Sequence, residues 1–438
     1  MKNLKNYFTL FILVLITSCS KDSDAPAITV APAVNAVAIS SMGPTTGAKN
    51  TAVVLTGTGF SNNPASNIVT LNGKVCTVNQ ASTTQLNITI PAKSSTGNIV
   101  VTVGNNNAQS TLFTYIDTVI VSTLAGSTPG FEDGNGATAK FNKLFGITID
   151  IAGNLYVADL PNRRIRKITA TGVVTTFAGS GASGSVDGTG TSAQLNRPTD
   201  IVFDKTTNNF FVVENEAHKI RKITSAAVVT TLVGSTQGFA DGTGSLAQFN
   251  SPVGITVDSS GNLFIVDKAN HKIRKVTQTG IVTTIAGGAS GFADGTGTNA
   301  MFAAPSFITS DASGNLYVTD LGNQKIRKIT PAGVVTTLAG STVGFANGVG
   351  LNAQFSFPAG VAIDANGNLY ISDKNNNQIR KISQTGLVTT IAGGTAGFAD
   401  GIGTNARFQN PNGICIDNDG ILYVTDQLNF RIRKIVID

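Results

Sequence analysis

The sequence has no tryptophan, only two histidines and three cysteines, and a charged fraction of just 13%. It also lacks long runs of the residues that favour helices, so long α-helices are not expected. Glycine is abundant instead, with 48 residues in a chain of 438. A glycine-rich chain of this kind favours short strands joined by tight turns. We therefore predict an all-β protein whose length accommodates two or three domains.

The scarcity of cysteine and histidine limits metal and redox chemistry. Cys76 and Cys415 lie far apart in the chain, and Cys415 sits in an apolar strand pattern, so we expect buried free thiols rather than a disulfide. No Cys/His spacing typical of a metal site occurs, and no cofactor is expected. The formal charge is +6, but the cations recur as dispersed Arg-Lys pairs, which predicts no nucleic-acid partner.

The N-terminal segment predicts export and anchoring. Lys2 and Lys5 precede an apolar run over 8–16 that is too short to span a membrane. The following segment, Leu-Ile-Thr-Ser-Cys, resembles the bacterial lipobox and implies that Cys19 is the acylated first mature residue. An ordinary secretory signal with an incidental cysteine is the alternative. We expect a signal peptide over 1–18, a tether over 19–35 and a lipid anchor in the outer membrane. The short acidic stretch 20–24 resembles a tag for exposure at the cell surface.

Residues 36–117 alternate apolar and polar residues over several short segments separated by turn signals, which predicts strands. The segment resembles an IPT/TIG domain, an immunoglobulin-like sandwich. The resemblance is carried by Gly57-Thr58-Gly59-Phe60, Asn72-Gly73, Pro91, Thr96-Gly97 and Phe113-Thr114-Tyr115.

The remaining residues, 118–438, form a repeat array. A strand of the type Leu-Tyr-Val-x-Asp recurs six times, with its acidic residues spaced by 55 residues once and by 53 thereafter. Two further strand patterns, Ile-Arg-Lys-Ile and Gly-Ile-x-x-Asp, also recur six times. The acidic residues of the first pattern are Asp159, Glu214, Asp267, Asp320, Asp373 and Asp426.

A fourth strand, Val-Val-Thr-Thr-Leu-Ala-Gly, follows only five of the repeats. Its sixth copy, 121–126, precedes the first repeat. That displacement predicts a ring in which an N-terminal strand completes the last sheet and leaves no open edge. The strand motifs and the Pro-x-Gly-Ile segment resemble NHL repeats, so we predict an immunoglobulin-like sandwich followed by a six-bladed β-propeller.

The repeated acids invite a metal hypothesis, but residues required in every repeat are better explained as structural. The strand acids are expected to accept turn N–H groups and to pair with the arginines of the Ile-Arg-Lys strand. The Asp-Gly pairs of a glycine-rich connector are turn chemistry first, and calcium binding there is the alternative. These connector acids are Asp133, Asp187, Asp241, Asp294 and Asp400.

Positions that differ between repeats are the better candidates for ligand contacts. Both histidines occupy one such position, for which a metal or acid–base role is the open alternative. Starts of inner strands are expected at the mouth of the channel, on the face that carries the long connectors. The candidate ligand-binding residues are Arg163, Thr199, Asp200, Glu214, His218, His271, Phe307, Asn412 and Phe430.

Two functions remain open from the sequence. The first is a non-catalytic, monomeric envelope lipoprotein whose propeller binds a protein or a glycan, with the sandwich domain as a spacer. The second is a metal-dependent hydrolase of the gluconolactonase type, for which Asp200, Glu214 and Asn412 offer ligands of the right residue type. The absence of tryptophan, with only six tyrosines, argues mildly against a sugar site built on aromatic stacking and so favours a protein or peptide partner.

Overall fold

The computed structural model describes residues 36–438. The predicted signal peptide, Cys19 and the predicted tether lie outside the described residues. No helix in the described range is long and apolar enough to cross a membrane. The regular secondary structure of the described residues consists of strands and short 3₁₀ helices, as the composition predicts.

The first nine strands form an immunoglobulin-like pair of sheets, ordered β1-β3-β7-β6 and β2-β9-β8-β4-β5. Alternation in β3 buries Val53 and Leu55 against Val101 and Phe113 of the other sheet. A single 3₁₀ turn, Pro64–Ser66, interrupts the strands. The strands are β1 (Ala38–Gly43), β2 (Thr46–Gly47), β3 (Ala52–Thr58), β4 (Ile68–Leu71), β5 (Lys74–Val75), β6 (Thr77–Ala81), β7 (Gln85–Thr89), β8 (Gly97–Val103) and β9 (Asn106–Tyr115).

Six five-stranded sheets follow, which we name repeat sheets 1 to 6. They are preceded by β10 (Val119–Ala125). Repeat sheet 1 contains β11 (Gly134–Asn135), β12 (Leu144–Ile149), β13 (Leu155–Asp159), β14 (Arg164–Ile168) and β15 (Val173–Ala178). Repeat sheet 2 contains β16 (Gly188–Thr189), β17 (Pro198–Asp204), β18 (Asn209–Glu214), β19 (Lys219–Thr224) and β20 (Val228–Gly234). Repeat sheet 3 contains β21 (Gly242–Thr243), β22 (Ile255–Val257), β23 (Leu263–Asp267), β24 (Lys272–Val276) and β25 (Ile281–Ala286). Repeat sheet 4 contains β26 (Gly295–Thr296), β27 (Ile308–Ser310), β28 (Leu316–Asp320), β29 (Lys325–Ile329) and β30 (Val334–Ala339). Repeat sheet 5 contains β31 (Gly348–Val349), β32 (Pro358–Ile363), β33 (Leu369–Asp373), β34 (Gln378–Ile382) and β35 (Leu387–Gly393). Repeat sheet 6 contains β10 together with β36 (Gly401–Ile402), β37 (Pro411–Ile416), β38 (Leu422–Asp426) and β39 (Arg431–Ile437).

Each repeat sheet has the same order, from an inner strand through a second, third and outer strand to a two-residue edge strand. In repeat sheet 1 this order is β12, β13, β14, β15 and β11. In repeat sheet 6 the outer strand is β10, which pairs with β39 on one side and β36 on the other. Each inner strand contacts the inner strand of the next repeat sheet, and β37 contacts β12. This is the strand arrangement of a β-propeller.

The edge strands come from the glycine-rich connectors, which the sequence predicted only as turns. Each connector crosses to the far edge of the next repeat sheet, pairs there, and returns through a one-turn 3₁₀ helix toward the inner strand. Pairing of the connector covers the outer strand, so its N–H and C=O groups are not left open. These 3₁₀ helices are Gly136–Thr138, Gly190–Ser192, Gly244–Leu246, Gly297–Asn299, Gly350–Asn352 and Gly403–Asn405, and three others, Lys268–Asn270, Leu321–Asn323 and Lys374–Asn376, follow second strands.

The two ends of the channel between the inner strands carry different loops. The connector face holds the connectors and the loops from second to third strands. The hairpin face holds the tight turns from inner to second strands and from third to outer strands. The sandwich domain contacts repeat sheet 6 through an ion pair between Lys49 and Asp438 and a hydrogen bond of 3.0 Å from Lys93 Nζ to the Asp419 carbonyl oxygen.

Candidate functional site

The second-strand acids hold their own repeat sheets together. In repeat sheet 1, Arg166 donates to Asp159 at 3.0 Å and to the connector residue Asp133 at 2.5 Å. The other Asp159 oxygen accepts from the Asn142 backbone N–H at 2.9 Å. Both Arg166 and Asp159 are fully buried. The same pairs recur as Arg221–Glu214, Arg274–Asp267, Arg327–Asp320, Arg380–Asp373 and Arg433–Asp426.

Phenylalanines complete this network. The Arg166 guanidinium lies between the rings of Phe131 and Phe141, at 4.7 and 5.2 Å from their centroids. Such contacts suit a guanidinium that is buried and weakly hydrated. The repeated acids and Arg-Lys strands are therefore structural, as the sequence predicted.

Glu214 is part of this network, although its repeat sheet uses different residues. The asparagine that donates to the acid elsewhere, such as Asn162 to Asp159 at 2.8 Å, is replaced by Ala217. Ser185 stands where the other connectors have phenylalanine, and its hydroxyl donates to Glu214 at 2.6 Å. Because glutamate is longer than aspartate, its carboxylate reaches this hydroxyl. The hydrogen bond from Ser185 thus takes the place of the one that the asparagine donates in the other repeat sheets. Glu214 is fully buried and has no free face toward the channel.

His218 and His271 form hydrogen bonds between repeat sheets. Nδ1 of His218 accepts from the Ser251 backbone N–H at 3.2 Å, and Nδ1 of His271 accepts from Ala304 N–H at 3.2 Å. Gln324 and Asn377 accept in the same way from Phe357 at 2.6 Å and Asn410 at 3.0 Å. We call these four contacts the clasps. They require the neutral imidazole, since a protonated ring has no acceptor.

Arg163 and Phe430 occupy the clasp position of repeat sheets 1 and 6. Both share the left-handed backbone of the clasp residues, with φ of 52° and 57°. Neither side chain accepts a hydrogen bond, because arginine has no acceptor and phenylalanine has no polar atom. The clasps are therefore missing on both sides of repeat sheet 1.

Four other candidates lie where inner strands begin, at the connector-face end of the channel. Thr199, Asp200, Phe307 and Asn412 are all buried there. Asp200 and Phe307 occupy a position that is glycine in the other inner strands. Those glycines pack tightly, since a Cβ on Gly413 would lie 2.3 Å from the Phe145 carbonyl oxygen. The two larger side chains thus fill space between strands at this end.

Asp200 is the most isolated carboxyl group of the channel. One oxygen accepts from its own neighbour Ile201 N–H at 2.9 Å, and the other from Ile255 N–H at 2.9 Å. Burial without a cationic partner raises its pKa to about 8, against the lowering effect of these two N–H groups. Asp200 is therefore protonated at neutral pH.

The channel widens toward the hairpin face. A cavity of about 180 Å³ lies between the inner strands, lined by aliphatic residues with Thr148, Thr256, Thr309 and Asp200. It shares lining residues with a larger cavity of about 890 Å³, which we call the vestibule. The vestibule is lined by the inner-to-second hairpins of repeat sheets 1 to 4 and 6. The larger cavity thus opens on the face opposite to the connectors.

Most vestibule carboxylates are already engaged in their own hairpins. Asp150 accepts from the N–H groups of Ala152 and Asn154 and from the Tyr156 hydroxyl. Seven other polar side chains of the lining make no hydrogen bond to residues 36–438. These are Lys205, Thr206, Thr256, Ser259, Thr309, Asn418 and Asp419, and they give the vestibule donors and acceptors for a ligand.

Within residues 36–438, no group of three His, Cys, Asp or Glu side chains is placed to hold a metal ion. Asp200 and Glu214 belong to separate hydrogen-bond networks, and Asn412 belongs to neither of them. The connector acid Asp133 accepts from Arg166 and from the N–H and hydroxyl of Thr176. Cys76 and Cys415 are free thiols, as predicted, and burial raises the pKa of Cys76 to about 11.

The sequence reasoning did not select the vestibule residues. Lys205 lies in a hairpin that is one residue longer than its equivalents, since Asn209 follows Asp204 by five positions where Asn154 follows Asp150 by four. This insertion contributes to the single spacing of 55 residues. An insertion at one hairpin tip of an otherwise regular repeat array is the sequence signal that could have identified the vestibule.

Comparison with known proteins supports both parts of the chain. The IPT/TIG domain family matches residues 37–115, and the NHL repeat family matches 249–276, 355–382 and 408–435. Protein SUPPRESSOR OF QUENCHING 1, chloroplastic, of Arabidopsis thaliana is 33% identical over 58% of this chain and 26% of its own length. NHL repeat-containing protein 2 of Homo sapiens is 29% identical over 61% of this chain and 43% of its own. The match thus spans less than half of each relative.

Two solved structures from Bacteroides thetaiotaomicron VPI-5482 cover both domains. A structural genomics protein of unknown function superposes with a TM-score of 0.63 at 23% identity, over 92% of this chain and 98% of that one. An auxiliary nutrient binding protein gives 0.58 at 20% identity, with the same coverage of 92% and 98%. At these identities the likeness shows the fold. The chain therefore contains an IPT/TIG domain and NHL repeats, in a fold of the β-propeller type.

Proposed function

We propose that this chain is a lipid-anchored protein of the cell envelope that binds a glycan in the vestibule. Its parts would be a signal peptide over 1–18, a tether over 19–35 that begins at acylated Cys19, an IPT/TIG spacer over 36–117 and a binding propeller over 118–438. The lipobox-like segment supports the anchor. The neighbour named an auxiliary nutrient binding protein is consistent with a binding role.

We further infer that the propeller has six blades in a closed ring. The pairing of β10 with β39 supports this closure. It places Ile120, before the first repeat, opposite Val436, in the last repeat. The contact between β37 and β12 supports it independently. A closed ring keeps the inner strands at fixed distances, so the vestibule is preformed and loses little entropy on binding.

The vestibule is the observation that carries the glycan proposal. A concave cavity of about 890 Å³ is within the usual range for small-molecule sites, whereas protein partners bind larger and flatter surfaces. Its free groups are an ammonium, an amide, a carboxylate and four hydroxyls, which suit the hydroxyl groups of a sugar. Binding through hydrogen bonds does not require the missing tryptophans.

The test is a glycan array followed by isothermal titration of the selected oligosaccharide. Ala152 and Ala312 are exposed hairpin tips that line the vestibule. The double variant Ala152→Leu/Ala312→Leu narrows the cavity without adding a ring on which a sugar could stack, and it should weaken binding at least about tenfold. Ala226→Leu/Ala332→Leu adds the same bulk to exposed third-to-outer hairpin tips and should bind like the wild type. Equal binding by both variants, or no glycan bound by the wild type, would refute the proposal.

A further inference from the structure

The connector-face end of the channel carries a ring of residues distinct from the vestibule. Each of them directly follows the acid at the end of a second strand. Two members contact the start of the next inner strand: Asn215 donates to the Pro252 carbonyl oxygen at 3.1 Å and Gln427 to the Leu144 carbonyl oxygen at 3.3 Å. The position therefore lies over the channel end. Its six residues are Leu160, Asn215, Lys268, Leu321, Lys374 and Gln427.

The two lysines of this ring have the same local backbone. Lys268 and Lys374 each begin a 3₁₀ turn after a buried aspartate, and each turn ends in a left-handed residue. Both side chains are half-buried. They come from repeat sheets 3 and 5, on either side of repeat sheet 4, and occupy the same ring position at the channel end.

Neither ammonium group has a counterion. Within residues 36–438, neither Lys268 nor Lys374 makes a side-chain hydrogen bond or an ion pair. The adjacent carboxylates are engaged, since Asp267 pairs with Arg274 at 2.7 Å and Asp373 with Arg380 at 2.8 Å. Burial lowers the pKa of both lysines, and the charge of Lys268 lowers that of Lys374 further. Two partly desolvated ammonium groups on one ring, each without a counterion, are unfavourable until an anion joins them.

We propose that Lys268 and Lys374 form a binding site for a single anionic group, a carboxylate, phosphate or sulfate, at the connector face. An anion between the two ammonium groups restores the electrostatic balance and accepts charge-assisted hydrogen bonds from both. The site lies at the opposite end of the channel from the vestibule and does not rest on the glycan proposal. The buried side chains of Asp200 and Phe307 line the smaller cavity of about 180 Å³ in the channel between these two ends.

The first test is calorimetric titration of the purified chain with inorganic phosphate, sulfate and D-glucuronate, with D-glucose as the neutral comparison. We expect saturable binding of at least one anion and none of glucose. Lys268→Met/Lys374→Met keeps the length of both side chains and should weaken anion binding at least about tenfold. Lys222→Met/Lys434→Met removes two charges from third strands and should leave it unchanged.

The second test separates a binding role from a structural one. Without anion, Lys268→Met/Lys374→Met should be at least as stable as the wild type in thermal unfolding, because it removes two uncompensated charges. Phosphate should raise the Tm of the wild type and of the Lys222→Met/Lys434→Met control but not that of the Lys268→Met/Lys374→Met variant. The proposal is overturned if the wild type binds none of the anions, if that variant binds them equally well, or if it is destabilised without anion.

Discussion

At the scale of single residues, several differences between repeats are local replacements within the same buried network of an acid and an arginine. Glu214, Ser185 and Ala217 change together in repeat sheet 2, and the buried Arg221 keeps both of its ion pairs and gains a 2.9 Å hydrogen bond to Ser185. Asp200 is different. It replaces a glycine, faces the channel and has no cation beside it.

Asp200 should make stability depend on pH in a predictable direction. An unfolded aspartate ionises at about pH 3.9, whereas folding raises the pKa of Asp200 to about 8. Unfolding therefore releases a proton between these values, so the stability from this group is complete below about pH 4 and is lost as the pH rises to about 8. The slope is at most about 1.4 kcal/mol per pH unit.

The measurement is urea unfolding of the wild type and Asp200→Asn between pH 5 and pH 9. Asparagine cannot ionise, so the variant should gain stability relative to the wild type as the pH rises, and the difference should level off above about pH 8. A difference that does not change with pH would mean that Asp200 is ionised in the folded protein.

At the scale of structural elements, repeat sheets are joined by apolar packing and by the clasps. A histidine, a glutamine and an asparagine perform the same task because each presents an acceptor at a similar reach from a left-handed backbone. The sequence showed only that this position varies. The shared acceptor could not be recognised without the N–H group that it meets in the next repeat sheet.

The His218 clasp should weaken in acid. Burial lowers the pKa of His218, and the nearby carboxylates of Asp267 and Glu216 oppose this only partly. The unfolded histidine takes up a proton at about pH 6.5, so the clasp contribution is present above that pH and is lost as the pH falls through the lower folded pKa. His218→Gln installs the residue found at Gln324.

Unfolding free energies at pH 7.5 and pH 5 should show a larger loss for the wild type than for His218→Gln, by about 0.5–1.5 kcal/mol for the one hydrogen bond. At pH 7.5 the two proteins should have similar stability. An identical loss in both would indicate that the acid sensitivity arises elsewhere in the chain.

At the scale of the whole molecule, the sequence was sufficient to predict the strand pattern but not the cavities. Six copies of three strands and one displaced strand specify which segments pair, because each strand is a short apolar run with fixed spacing. The two-residue edge strands were not predictable, since Gly-Thr and Gly-Asn read as turns and pair only through tertiary contact. The vestibule and the Lys268–Lys374 pair likewise depend on loops from different repeats converging on one axis.

The proposed closure of the ring by β10 gives a final prediction. β10 buries Val121 and Ala125, and Thr123 donates to Asp400 through its N–H at 3.2 Å and its hydroxyl at 2.9 Å. A chain beginning at Asp117 keeps β10 and loses only the sandwich domain with its few contacts, such as the Lys49–Asp438 pair. It should remain monomeric and unfold cooperatively in light scattering and thermal unfolding.

A chain beginning at Gly126 lacks β10, which leaves one edge of β39 unpaired and exposes the apolar residues beneath it. Unpaired edges of this kind recruit other strands, so this chain should self-associate and unfold at a lower temperature than the chain from Asp117. The comparison isolates β10 because both chains lack the sandwich domain. Were the two truncated chains equally stable and equally monomeric, β10 would not be the closing strand, and the sixth repeat sheet would have to be completed without it.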